Sequence, residues 1–321
     1  MFDLTKTTKL SEWPKARQTI EAAVQDVLGT MPSKHVDVQM KTMDEMEYPG
    51  YVRRRVNFFV EDWDRIPAWL FVPEGKEEAP AILCCHDANE AAKDEMAGLE
   101  GDHRHAFAQH FAELGYVTLA IDCITAGDRV SSRLKPYDTA AFYKDHPKRS
   151  VMGKMLWDHI QALDLLCELK RVDSARLGVI GHGLGGANAL LLAAFDDRVR
   201  ACVASCAFTR FADDTDPGRW ARSEGFVKLP ALRNAIKKGE YPFDWEHILA
   251  LAAPNPVLLF TAVDDPELPK TESCQTAVDL ASRVYKLLGA ANALENHPHE
   301  DGRCVSTITL QEAGEWFERW L

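Results

Sequence analysis

The 321 residues contain no block of lysine or arginine, and their charge runs the other way: 49 acidic against 37 basic side chains, a net −12. Nucleic acid and anionic membrane surfaces are therefore poor partners. No apolar run approaches the roughly 20 residues that a membrane helix needs. The Met1–Lys6 stretch lacks the apolar core and small-residue cleavage site of a secretory signal. The eight cysteines show neither C-x-x-C nor Cys/His finger spacing, and no N-x-S/T acceptor occurs. No His/Asp/Glu spacing suggests a metal, and no cofactor is implied. The expectation is a cytoplasmic protein whose partner is a small-molecule ligand, with self-association left open.

What is present is apolar material, 46% of the chain. That is enough for a large packed core without disulfides or metal. Ser11 to Leu28 has helical spacing, with Ile20, Val24, Val27 and Leu28 on one face. Val36 to Met40, Tyr51 to Val60 and Ile66 to Val72 are predicted antiparallel strands. From Ala81 the pattern changes to short apolar runs separated by helical stretches. The runs are 81–85, 117–121, 177–180, 201–204 and 257–261, with a weaker one at 292–295. The helical stretches are 106–114, 151–169, 271–288 and 309–321. Such alternation predicts an α/β fold, a mostly parallel sheet of about eight strands with helices on both faces. One domain is expected, with residues 1–64 as an N-terminal extension. The Asp-, Arg-, Gly- and Pro-rich stretch 209–245, which holds Trp220 and Phe226, is expected as a small cap excursion above the carboxyl edge of the strands.

Leu177–Ile180 runs into Gly181-His182-Gly183-Leu184-Gly185-Gly186, and Asn188-Ala189-Leu190 opens a helix. A strand, a tight turn with glycines two before and two after its central residue, and a helix make a nucleophile elbow. The residue at its centre is Gly183.

Here the sequence resembles the α/β-hydrolase superfamily, and within it the dienelactone hydrolase and acetyl xylan esterase-like branch. The likeness runs from about Arg65 to the end. It includes Leu83-Cys84-Cys85-His86, Lys93-Asp94-Glu95, Gly115-Tyr116-Val117, Ala120-Ile121-Asp122 and Tyr241-Pro242-Phe243-Asp244. The resemblance implies an α/β-hydrolase fold and an ancestry in hydrolysis of a small polar ester or lactone. It also implies an acid after the strand that follows the cap, where Asp265 stands with Asp264 as alternate. The histidine belongs in the loop before the last helix. His299 and His297 lie there, yet counting back from the C-terminus puts the expected place near Arg303. The Leu184 N–H and an N–H from Asp87 or Ala88 are the expected oxyanion hole. His86, His182, Asp122, Cys123, Cys206 and Arg303 are candidate pocket residues at strand ends.

Serine hydrolysis needs a hydroxyl that a histidine can deprotonate, and glycine offers none. Four accounts stay open. The protein has become a non-catalytic binding or partner protein; or water replaces the nucleophile, with His299 as base and Asp265 as its orienter, in a hydrolase, lyase or isomerase; or the glycine is an engineered knockout; or one of Cys85, Cys123 and Cys206 serves instead. If Arg303 holds the histidine place, two triad positions have diverged together, which favours drift over a single knockout.

Overall fold

The computed structural model describes residues 1–75, 78–131 and 134–321. Nine strands form one sheet: β1 (Lys41–Tyr48), β2 (Tyr51–Glu61), β3 (Asp64–Pro73), β4 (Ala79–Cys85), β5 (Val117–Ile121), β6 (Val172–His182), β7 (Val199–Ser205), β8 (Val257–Ala262) and β9 (Leu294–His299). Their spatial order is β1-β2-β3-β5-β4-β6-β7-β8-β9. The first three strands pair antiparallel, as does β3 with β5; every later pair is parallel. The sheet has nine strands against the expected eight or so, and its first strand is Lys41–Tyr48 rather than the expected Val36–Met40. That stretch is irregular and is tied to the sheet where the Phe59 N–H donates to the Val38 carbonyl and Arg65 donates to the Gln39 carbonyl. The edge strand β1, Lys-Thr-Met-Asp-Glu-Met-Glu-Tyr, is solvated on both faces and so carries no apolar alternation.

The helices are α1 (Trp13–Leu28), α2 (Lys93–Met96), α3 (Phe107–Glu113), α4 (Ala140–Asp145), α5 (Val151–Glu168), α6 (Leu184–Phe195), α7 (Arg233–Lys238), α8 (Trp245–Ala252), α9 (Glu272–Leu287) and α10 (Thr307–Trp320). Side-chain alternation along the strands divides them into two layers. Ile82, Cys84, Ile180 and Val203 face Phe107 and Phe111 of α3 and Trp316 and Phe317 of α10. Leu83, Cys85, Val179 and Cys202 face the opposite layer, built from α1, α5, α6, α8 and α9. α6 is apolar all round and wholly buried in its first eleven residues, as befits a helix running through the core behind the elbow.

One buried charge cluster ties the antiparallel strands to this core. The fully buried Lys154 of α5 meets Asp158 at 2.5 Å, Asp64 at 2.6 Å and Glu61 at 3.1 Å. Arg129 adds 2.8 Å ion pairs to the same Asp64 and Asp158. Residues 209–244 form two short 3-10 turns and α7 over the carboxyl edge. Thr139 anchors this segment by donating from its hydroxyl to the Gly225 carbonyl and accepting from the Val227 N–H.

Candidate functional site

The parallel register fixes what meets at the carboxyl edge. β6 lies between β4 and β7, so the residues just after Cys85, His182 and Ser205 converge. Gly183 has φ +56° and ψ −118°, the strained conformation of an elbow. Its N–H donates to the Ser205 carbonyl at 2.9 Å, and its carbonyl accepts from Ala187 at the start of α6. At Gly185 a Cβ would overlap the Cys85 carbonyl, so α6 can approach β4 this closely only with glycine there.

Above Gly183 stands the carboxylate of Asp87. Its Oδ1 accepts the Leu184 N–H at 2.7 Å and the Ala88 N–H at 2.7 Å. Of the donors expected to line an oxyanion hole, Leu184 with Asp87 or Ala88, the Leu184 and Ala88 N–H groups are spent on a side chain of the chain itself. A Cβ on Gly183 would overlap all three atoms of that carboxyl group. Burial works against charge on Asp87, but Arg303, His182 and the two N–H groups outweigh it and hold its pKa below the usual 3.8.

Asp265, in the turn after β8, is buried and fixed. Its Oδ1 accepts the N–H groups of Glu267 and Leu268, and its Oδ2 accepts Arg303 Nη1 at 2.8 Å. Arg303 also donates to the Cys206 carbonyl at 3.3 Å, and its Nη2 lies 3.6 Å from Asp87 and 3.5 Å from Glu267. The guanidinium therefore bridges the acid position and the carboxylate above the elbow. Burial lowers the cost of losing its proton, yet the three carboxylates overcome this and raise its pKa. It has no acceptor and stays charged, so it cannot take a proton as an imidazole would.

The other candidate residues divide. His299 ends β9, paired with Ala262. It makes no hydrogen bond to Asp265; among the described residues neither ring nitrogen finds a partner, and its nearest carboxylate is Asp301 at 3.9 Å. The expected His299–Asp265 couple is thus replaced by Arg303–Asp265. His297 pairs with Glu312 at 2.8 Å and Glu295 at 3.2 Å, away from the elbow. His86 is fully buried and acts as a bracket: Nδ1 lies 2.7 Å from the Asp87 carbonyl and Nε2 accepts the Cys123 N–H. His182 Nδ1 is hydrogen-bonded to the Ser205 hydroxyl at 3.0 Å, and its ring stacks on His105 at 4.5 Å. Burial drives its pKa down to about 3, helped by His105 and Arg303 against Asp87. Asp122 is no pocket residue; it is fully buried and ion-paired to Lys93 at 2.9 Å. Cys85 and Cys123 are packed in the core, and burial pushes the Cys206 thiol up to about 11, which removes any ready thiolate. Between Cys206, Asp265 and Leu268 the free space is only about 10 Å³, room for a single water at most.

Sequence reasoning missed two residues that reach this site. Tyr137 donates its hydroxyl to the Asn89 carbonyl at 2.7 Å and the Asp87 carbonyl at 3.2 Å, holding the Asp87 loop. Lys228 of the 209–244 segment, whose Nζ lies over the Trp220 and Phe226 rings, feels the charge of Asp87. Its only sequence signal is its place beside the aromatics Trp220 and Phe226.

With elbow, acid turn and sheet order in place, comparison with known proteins decides the affiliation: residues 2–306 match the abhydrolase family. The chain belongs to the abhydrolase family. The Bacillus subtilis (strain 168) protein named "Putative hydrolase YtaP" is 25% identical over 301 residues, 92% of this chain and 96% of that one. Among solved structures, a glucuronoyl esterase from Solibacter usitatus superposes with a TM-score of 0.76 at 17% identity, covering 97% of this chain and 94% of its own. An acetyl xylan esterase from Paenibacillus sp. R4 gives 0.64 at 18% identity, covering 98% and 95%. At such identities the structural likeness carries the fold. In this abhydrolase no helix among the described residues is long and apolar enough to cross a membrane.

Proposed function

We propose that this abhydrolase has left serine chemistry and is a non-catalytic small-molecule-binding protein built on an esterase scaffold. The observation that carries the reading is the Asp87 carboxylate seated over Gly183 on the Leu184 N–H. An ester carbonyl would need that N–H for its developing oxyanion; residue 183 offers no hydroxyl, and Asp265 is paired with Arg303 rather than with an imidazole. The Arg303–Asp265 pair supports the same reading, because it turns a proton relay into a fixed ion pair. What remains is a receptor for an oxygen-bearing anion or dipole, with backbone donors and a guanidinium already oriented.

The test has two arms. The wild-type chain and His299→Ala are assayed on p-nitrophenyl acetate, p-nitrophenyl butyrate and a simple lactone. Both are expected at the uncatalysed rate; turnover by the wild type that His299→Ala abolishes would establish a water-based hydrolase instead. In the second arm, millimolar acetate is expected to raise the melting temperature of Asp87→Ala, whose donors are freed, and to leave the wild type unmoved. Absence of any shift in Asp87→Ala would remove the binding half of the proposal.

A further inference from the structure

Tyr137, between β5 and α4, holds a backbone conformation that its side chain disfavours. Its φ is +62°, in the left-handed region where a bulky residue is rare. Thr125, whose carbonyl accepts the Tyr137 N–H at 2.8 Å, has φ +65°. Such conformations persist where the surroundings fix them, and they concentrate at working sites. Here the surroundings act from two sides. Towards the elbow, the Tyr137 hydroxyl grips both ends of the Asp87–Asn89 turn, donating to the Asn89 carbonyl at 2.7 Å with the Asp87 carbonyl 3.2 Å away. The Asn89 N–H closes that turn on the Asp87 carbonyl at 2.9 Å. Towards the cap segment, the Tyr137 ring packs on Phe226 with centroids 5.0 Å apart. Phe226 lies between Gly225 and Val227, the two residues that Thr139 binds. Burial, then Cys123, Asp87 and Asp122, raise the pKa of the Tyr137 phenol far above its ordinary value, so it stays a donor at any working pH.

We propose that Tyr137 is a positioning residue that couples the cap segment to the elbow: packed on Phe226, it keeps the Asp87 carboxylate seated on the Leu184 N–H. Its ring takes its place from the cap, and its hydroxyl passes that place on to the Asp87–Asn89 turn. A displacement of Phe226 therefore loosens the turn and exposes the Leu184 N–H, with no change at Gly183 or in α6. The state of the cap sets how often that donor is open. The inference rests on the binding reading above only for what the freed N–H would hold, an external anion; the coupling itself is a property of the chain alone.

Hydrogen–deuterium exchange of the Leu184 amide, followed by NMR on the full-length chain labelled with ¹⁵N-leucine, reports how often the carboxylate lifts. The Leu190 amide, buried within α6, reports global opening in the same spectra. Tyr137→Phe keeps the ring and loses the hydroxyl. It is expected to speed Leu184 exchange about two- to tenfold, the weight of one net hydrogen bond, and to leave Leu190 unchanged. Phe226→Leu keeps the hydroxyl, removes the ring contact and is expected to act in the same direction. In an Asp87→Ala background, where Leu184 has lost its acceptor, Tyr137→Phe should add nothing. Leu184 exchange in Tyr137→Phe equal to that of the wild type, or a rise matched at Leu190, would overturn the proposal. A rise in Tyr137→Phe with none in Phe226→Leu would overturn the coupling to the cap. The binding reading fails by a separate result, the lack of an acetate shift in Asp87→Ala, which leaves the exchange rates as they are.

Discussion

Replacing Gly183 with serine looks like the simplest repair of this site, and the geometry says that it fails. The serine Cβ would fall inside the Asp87 carboxyl group, so that group must leave. Leaving gives up a charge-assisted hydrogen bond from the Leu184 N–H, worth about 1.5–3 kcal/mol. A side chain at φ +56° and ψ −118° adds backbone strain of about 1–3 kcal/mol. Together Gly183→Ser should cost about 2.5–6 kcal/mol, summed from these two terms. The terms separate in a double-mutant cycle measured by urea unfolding at pH 7.5. In an Asp87→Ala background only the strain remains, so the coupling between the two sites should be about 1.5–3 kcal/mol. Activity follows the same logic. Gly183→Ser alone hydrolyses p-nitrophenyl acetate no faster than the parent, because Arg303 cannot accept the serine proton. The triple variant Asp87→Ala, Gly183→Ser, Arg303→His places an imidazole beside Asp265 and should exceed Gly183→Ser by about 100-fold or more. A coupling energy within about 0.5 kcal/mol of zero, or esterase activity from Gly183→Ser alone, would refute this account of the elbow.

Other substitutions test the frame around it. Arg303→Met leaves Asp87 and Asp265 buried without their cation and should destabilise the fold by about 3–5 kcal/mol at pH 7.5 in urea melts. Because Arg303 holds the Asp87 pKa low, that carboxylate stabilises the native state above the usual 3.8 and ceases to do so as pH falls through its lowered folded value. Without Arg303, burial pushes the pKa up, so the deficit of the Met variant should shrink between pH 7.5 and pH 5; an unchanged deficit would contradict the ion-pair account. Lys154→Met removes the buried cation that Glu61, Asp64 and Asp158 share, leaving them only Arg149 and Arg129, and should cost about 3 kcal/mol by the same measurement. Gly185→Ala drives a methyl into the Cys85 carbonyl and should cost about 3 kcal/mol or more, seen as a large fall in melting temperature.

The sequence carried the sheet and the elbow because both depend on local signals. Buried parallel strands read as apolar runs, and the glycines at 181 and 185 are demanded by backbone sterics at a fixed spacing. Asp265 and Arg303 could be placed by position alone, one by its turn after a strand and the other by distance from the last helix. The edge strand β1 stayed hidden because neither of its faces is buried, so its sequence has no reason to alternate. Asp87 is legible in the sequence only as a backbone donor and as a polar residue at a strand end. That its side chain folds back onto Leu184, 97 residues away, is a tertiary fact with no local trace. Lys228 leaves no local trace for a similar reason: the charges that act on it, Asp87, Glu267, Arg219 and Arg303, come from four separate segments.

The Asp87 contact bears on how any outside molecule would bind. Asp87 behaves as a tethered competitor, a ligand that is never diluted away. An external carboxylate or carbonyl must displace it, so the observed affinity equals the intrinsic affinity scaled by the fraction of time the tether is off. If that fraction is about 1%, a site of micromolar intrinsic strength binds with an apparent constant near 0.1 mM, roughly a hundredfold weaker. Screens of the wild-type chain at low concentration would then return silence from a competent receptor, whereas the same library offered to Asp87→Ala would meet it with the gate removed.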